Sequence, residues 1–434
     1  MMRAFGKDFC YGFLLSVFLA TSSFAQKALT WQEVRDRFEK SNPTLHAGQL
    51  GIEESKASEI TAYLRPNPQA SLTLDQIGHT EQAAGSTTNV NPFSASNLIT
   101  TVSYLHERRH KRELRLESAQ KATGIAVSSQ ADLLRTLVAN LRVAFIQALQ
   151  EKAILTLAKD NIAYYDHVLD VNRERYKAGA IAQVDLDRLE LQRVTYESDL
   201  QTAEESLETA KIQLLNLLND RTPVEQFDVT GPYDFSAELP PLDDVRLAAL
   251  DTRPDLRAAV QSIDKAKTDH RLAVANGSTD PTFTADAGFP SVSQAALSYN
   301  PPLHQYVGFG VSIPLRIFDR NQGEKLRTQL DIDRNDRLAQ ATRAQVFSDV
   351  DSAYATVESN VVLLKPYKER YLKQALRVRD TISFSYEHGA TSLLDFLNAQ
   401  AEYRSVQLNY LNLVAAYLEA ANQLNQAVGR EVVQ

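Results

Sequence analysis

The chain has 434 residues, 44% of them hydrophobic and 23% charged, with a formal net charge of −8. That length and composition suit a large ordered fold and exclude a disordered chain. The acidic balance excludes a nucleic-acid binder, which needs basic surface against phosphate.

Arg3 and Lys7 open the chain, an apolar run covers 11–20, and Ser23-Phe-Ala25 ends it in small residues. This is the pattern of a secretory leader, and residues 1–25 are expected to be a signal peptide cleaved after Ala25. The one cysteine, Cys10, and both methionines fall inside it. A mature chain would then hold no disulfide and no lipid-bearing cysteine. After residue 26 no apolar run reaches the about 20 residues of a spanning helix. Export then leads either to a water-soluble product or to an outer membrane crossed by strands.

A short amphipathic helix is predicted over 29–38. A second starts at Asn42-Pro43, with proline at a helix start, and ends at Leu64 before Arg65-Pro-Asn-Pro68. Residues 70–77 alternate as a strand, 78–97 read as a loop rich in Gly, Ser, Thr and Asn, and 98–104 form a second strand. A very long helix follows. Its seam runs Leu134, Leu137, Leu141, Ala144, Ala148 and on to Tyr165 and Leu169. After a turn at Gly179 a second seam runs from Leu186 to Leu217. Sustained 3-4 spacing marks a coiled-coil seam. Residues 221–241 carry four prolines and Gly231 and form a linker, with a short strand expected at 226–229.

The second half retells the first. Thr252-Arg-Pro-Asp-Leu256 answers Ser41-Asn-Pro-Thr-Leu45. A helix runs to about Asn276, strands follow at 282–289 and 306–313, and a long helix restarts near Asn321 and bends at Pro366. The last helix, from Leu393 to about Val428, has two seams, one through Phe396, Gln400, Tyr403, Val414 and Tyr417, the other through Leu397, Ala401, Arg404 and Leu408. Two seams require two helical neighbours.

The duplication is sharpest at the turns. Tyr176, Gly179 and Asp185 recur at the same spacing as Tyr386, Gly389 and Asp395. Glycine suits the left-handed residue that ends a helix, so each copy is a tight turn between antiparallel helices. The expected organisation is a first repeat over 26–220, a linker over 221–241 and a second repeat over 242–430, each helix, strand, strand, long helix, turn, long helix. The fold class is α+β, mostly helical. The strands alternate: Val307, Phe309, Val311 and Ile313 oppose Gly308, Gly310 and Ser312, and Phe283, Ala285, Ala287 and Phe289 oppose Thr284 and Asp286. Apolar-out, polar-in alternation fits an outer-membrane strand, though a soluble sheet packed on one face alternates too. Only four such strands are predicted, while the smallest single-chain barrels have about 8. Lipid does not tolerate open edges, so a membrane reading requires several chains sharing one barrel.

With these features the chain resembles the TolC family of outer-membrane efflux ducts, over essentially all of residues 28–430. Within it the chain is most similar to the CzcC-like branch that serves metal-cation efflux. The matching phrases are Leu64-Arg-Pro-Asn-Pro-Gln-Ala-Ser-Leu72, Glu107-Arg-Arg-His-Lys-Arg112 and Val311-Ser-Ile-Pro-Leu-Arg-Ile-Phe-Asp-Arg-Asn-Gln-Gly323. In the second phrase Arg109-His110 stands where the branch usually has Gly-Gly. The resemblance implies a homotrimer whose strands make one 12-stranded β-barrel in outer-membrane lipid, continued by a coiled-coil tunnel in the periplasm. It implies a periplasmic adaptor protein and a proton-driven inner-membrane pump of the RND type as partners. The adaptor-contacting turns would be Ala178, Gly179, Ala180, Ile181 and His388, Gly389, Ala390, Thr391. The pore-constriction acid would be Asp395. Asn398 stands where a second acid is common, so Asp185 and Asp187 join as candidates.

A ring of Asp395 carboxylates would attract cations; a carboxylate beside a helix N-terminus explains Asp395 and Asp185 equally well. His106 and His110 have a helical metal-ligand spacing, but Arg108, Arg109, Lys111 and Arg112 surround them, which favours a basic collar near lipid head groups. No catalytic constellation, cofactor motif or metal-ligand cluster is present. The function expected is a passive exit duct of a tripartite efflux pump carrying metal cations or small toxic compounds. The alternatives are a type I protein-secretion duct and a periplasmic coiled-coil scaffold without a pore.

Overall fold

The computed structural model describes residues 28–75, 97–290 and 305–433. The expected leader, most of the loop expected over 78–97 and the loop between the second pair of strands lie outside these residues. In chain order the elements are α1 (Trp31–Ser41), α2 (Pro43–Tyr63), β1 (Gln69–Asp75), β2 (Asn97–Leu105), α3 (Lys111–Lys177), α4 (Gln183–Leu217), α5 (Leu242–Thr252), α6 (Pro254–Asn276), β3 (Thr282–Pro290), β4 (Tyr306–Ser312), α7 (Gln322–Pro366), α8 (Leu372–Glu387) and α9 (Leu393–Val428). The second half starts with a short helix, α5, ahead of the helix expected to end near Asn276.

Residues 282–290 and 306–312 pair with the first half in one antiparallel sheet of order β1-β2-β3-β4. Gln69 faces Ser103, Ser103 faces Thr284 and Thr284 faces Gly310. Period 2 then puts Ser71, Thr101, Asp286 and Gly308 in the next row on the same face. The opposite face is apolar and bare: Leu72, Val102, Phe283, Phe289, Val307, Phe309 and Val311 are all exposed. The helices below repeat the order of the strands. α2 lies against α3, α3 against α6 and α6 against α7.

α3 is 67 residues long without a break, about 100 Å at 1.5 Å per residue. Its counterpart in the second repeat is interrupted. Pro366 has no N–H to give and its ring crowds the preceding turn. A π-turn over Tyr367–Tyr371 absorbs the misfit before α8 begins. The linker braces this point: Lys368 pairs with Asp234 and lies 5.2 Å from the Phe235 ring. The strand expected at 226–229 is reduced to one parallel bridge, Leu29 to Val229, beside a 3-10 turn at Val224–Gln226.

Among the described residues, three apolar cores hold the chain. One joins α5, α7 and the end of α9, through Val350, Val357, Val414 and Leu424. A second joins α1, the middle of α3 and the end of α4. The third lies near the far end, where both hairpins meet: Tyr165, Leu169, Leu186, Leu189 and Tyr196 pack with Tyr386, Leu393 and Phe396. The two seams of α9 do face two neighbours. Phe396 stacks on Tyr386 of α8 at 4.8 Å. On the other seam Arg404 pairs with Asp199 of α4 at 2.5 Å and covers the Tyr196 ring.

Candidate functional site

The two turns at the tips of the hairpins are built alike. Gly179 and Gly389 have φ of +72° and +74°. Nothing would meet a Cβ at either position, so the backbone angle alone calls for glycine. In the first turn Gly179 N–H donates to Tyr176 O (2.9 Å) and Ala180 N–H to Arg175 O (2.8 Å). In the second, Gly389 N–H donates to Tyr386 O (3.0 Å) and Ala390 N–H to Ser385 O (2.8 Å). Both are Schellman closures, which satisfy the last helix carbonyls. Ala178, Gly179, Ala180, His388, Gly389 and Ala390 are exposed at the tips, and Ile181 and Thr391 half-buried. His388 donates Nδ1–H back to Phe384 O at 2.8 Å.

The helices leaving the turns differ. Asp395 is the third residue of α9 and closes a capping box with Ser392. Its carboxylate accepts from Ser392 Oγ at 2.7 Å and Thr391 Oγ1 at 3.1 Å. Those hydrogen bonds, from the Ser392 hydroxyl first, the Thr391 hydroxyl and the Ser392 backbone, hold it below the usual aspartate range. Asp185 has the same position in α4, but Ala182 stands at the cap and offers no side-chain acceptor. Asp187 accepts from Gln183 Nε2 at 2.7 Å.

Asp395 and Asn398 are exposed and begin a line that sequence reading of the apolar seams had not isolated. Asp395, Asn398, Glu402, Ser405, Asn409 and Asn412 follow one another at spacings of three and four, all exposed, opposite the buried Phe396, Ala399 and Gln400. The signal was in the sequence as a polar seam between two apolar ones. The sheet adds a second feature of the same sign. Its four strands contain no lysine or arginine, and their two charged residues, Asp75 and Asp286, share the polar face. Asp286 Oδ2 leans into the space left by Gly308, 2.5 Å from where a Cβ would stand.

His106 and His110 do not lie on a helix. They sit in the turn between β2 and α3, and His106 is edge-on to Phe283. Arg109 and His110 have φ of +62° and +55°, the region glycine adopts freely, which accounts for the Gly-Gly usual at these positions in the branch it resembles. The basic collar is largely tied down. Lys111, only 4% exposed, bonds Asp280 at 2.5 Å, Arg108 bonds Thr279 O and Asp280, and Arg112 covers the Tyr63 ring at 4.4 Å. Among the described residues no group of three or more His, Cys, Asp or Glu could hold a metal ion. Nor is any described helix long and apolar enough to cross a membrane.

Residues 34–220 and 246–430 each match the family described as outer membrane efflux protein. The chain belongs to that family. It is an outer-membrane efflux channel with a periplasmic helical tunnel, and not an enzyme. It is 21% identical to the cobalt-zinc-cadmium resistance protein CzcC of Cupriavidus metallidurans, over 90% of this chain and 87% of that protein. It is 23% identical to the outer membrane protein TolC of Escherichia coli, over 95% of this chain and 84% of TolC. The solved channel CusC shares the fold, with a TM-score of 0.74 at 17% identity, covering 92% of both chains. These matches set aside a scaffold without a pore.

Proposed function

We propose that three copies of this chain close their open sheets into one 12-stranded barrel, and that the duct serves as the exit of a tripartite pump for metal cations. The sheet carries this reading. Among the described residues, four strands with an exposed apolar face and unpaired edges at β1 and β4 cannot rest in lipid alone. Neighbouring copies satisfy both edges at once. The exposed turns around Gly179 and Gly389 are the surface offered to an adaptor protein, which joins the duct to an RND-type inner-membrane pump.

The cargo reading rests on charge. Three copies of Asp395 ring the tunnel mouth, and Asp185 and Asp187 of the first hairpin add to the same end. Asp75 and Asp286 carry the same sign into the barrel. Rings of carboxylate favour cations and disfavour anions. The likeness to CzcC, a protein named for cobalt, zinc and cadmium resistance, points to the same class of cargo. A strain lacking this chain is expected to become sensitive to divalent transition metals, and unchanged tolerance would contradict the cargo. At the gate, Asp395→Asn keeps an acceptor at the cap and removes the charge. It is expected to lower cation over anion selectivity in planar-bilayer conductance. Unchanged selectivity would remove Asp395 from the pore.

A further inference from the structure

Among the described residues, two groups of large apolar side chains at the junction of sheet and helices have no cover in the single chain. Between β4 and α7, Leu315 is 80%, Ile317 60% and Phe318 90% exposed. At the end of α2, just before β1, Ile60 is 68% and Leu64 60% exposed. The two groups lie at opposite edges of the molecule, because β1 and β4 are the outer strands and α2 and α7 the outer helices of the layer below.

We infer that the 313–318 segment of one copy packs on the end of α2 of the next, forming an apolar clasp at the collar. This rests on the shared-barrel reading above and deepens it. An antiparallel β4–β1 contact between copies brings the end of β4, at Ser312, beside the start of β1, at Gln69. Leu315 follows that strand end by three residues and Leu64 precedes the strand start by five, about 10 and 16 Å of extended chain on the same side of the membrane. The neighbour is the occupant because the barrel seam runs into this surface without a break. Proline at 314 and at 66 and 68 keeps both segments extended and outside the ladder. The clasp covers side chains that would otherwise stand in water below the lipid, and it stabilises the seam where sheet gives way to helix.

Engineered cysteines test the contact, since Cys10 is the chain's only native one and a Cys10→Ser background removes it. Within one chain Leu64 and Leu315 stand at opposite edges, three strand spacings or about 14 Å apart. A disulfide needs Cα atoms within about 7 Å, so only neighbours can join them. Mild oxidation of outer membranes carrying Leu64→Cys with Leu315→Cys, or Ile60→Cys with Phe318→Cys, is expected to convert the monomer band to a trimer band on denaturing, non-reducing gels. Each single variant is expected to stay monomeric. A control places Gln69→Cys or Ser71→Cys with Ser312→Cys on the strand edges themselves. If the edge pairs cross-link and both collar pairs stay monomeric, the residues face lipid or water and the clasp is overturned, while the shared barrel stands. If neither cross-links, the shared barrel fails and the clasp with it.

Discussion

The two helical hairpins descend from one pattern, and their differences show what duplication leaves free. Tyr176 and Tyr386 hold the same place before the turn. Yet Tyr386 is 6% exposed, stacks on Phe396 and bonds Asn172 of the other hairpin at 3.2 Å, while Tyr176 is 39% exposed. Asp185 and Asp395 hold the same place after the turn, yet only Asp395 has a serine to complete its cap. α3 runs unbroken, while its counterpart is broken at Pro366 and braced there by the linker. The backbone closure is shared. Burial, capping and continuity are not, so each hairpin tip has its own stability and its own charge.

The largest effect should come from the tyrosines. Tyr386→Ala removes a buried, stacked and hydrogen-bonded ring and is expected to cost about 3–5 kcal/mol. Tyr176→Ala is expected to cost under about 1 kcal/mol, as surface changes do. Chemical unfolding of the two variants side by side measures the gap, and equal losses would break the comparison.

The caps come next. Ser392→Ala should destabilise the start of α9 by about 1 kcal/mol, and Ala182→Ser should stabilise α4 by a similar amount, because Asp185 already waits three residues on. Hydrogen exchange of the first turn of each helix reads both, and no gain from Ala182→Ser would mean that the first tip cannot form the box. At the collar, His110→Gly should relieve a left-handed backbone and stabilise by up to about 1 kcal/mol. Thermal unfolding measures it; a loss would show that the side chain matters more than the angle.

The smallest effect is one of pH. The folded Asp395 carboxyl lies below its ordinary value. Its contribution to the second tip is therefore fully present above the unfolded value, about 3.9, and is lost as pH falls through the lower folded value. Exchange at Leu393 and Leu394 should rise in that acid window only, after correction for the intrinsic rate, and Asp395→Ala should abolish the change.

The gross fold was legible because its signals are local. Period 3.6 and period 2 mark helices and strands, proline and glycine mark their ends, and the Tyr-Gly-Asp spacing marks the repeat. What was not legible depends on partners far away in sequence or on unusual backbone. Arg109 and His110 take a glycine-like angle that their side chains do not announce. His106 and His110 have a helical spacing without a helix. Lys111 belongs to a basic run in the sequence, and the Asp280 bonded to it comes from the other repeat. The π-turn follows from Pro366 only in outline, since its brace comes from the linker. At the candidate site the turns and Asp395 were readable from their spacing. The polar line through Glu402 and Asn409 is a weaker signal, because the apolar seams beside it dominate the periodicity of the helix.

The claim on which the account depends is that one chain holds too little sheet to seal itself. Native mass spectrometry of the protein, extracted from the outer membrane in mild detergent, tests it directly. A species of three chain masses that dissociates only on heating or strong denaturation is expected. A stable single chain, soluble without detergent, would contradict it.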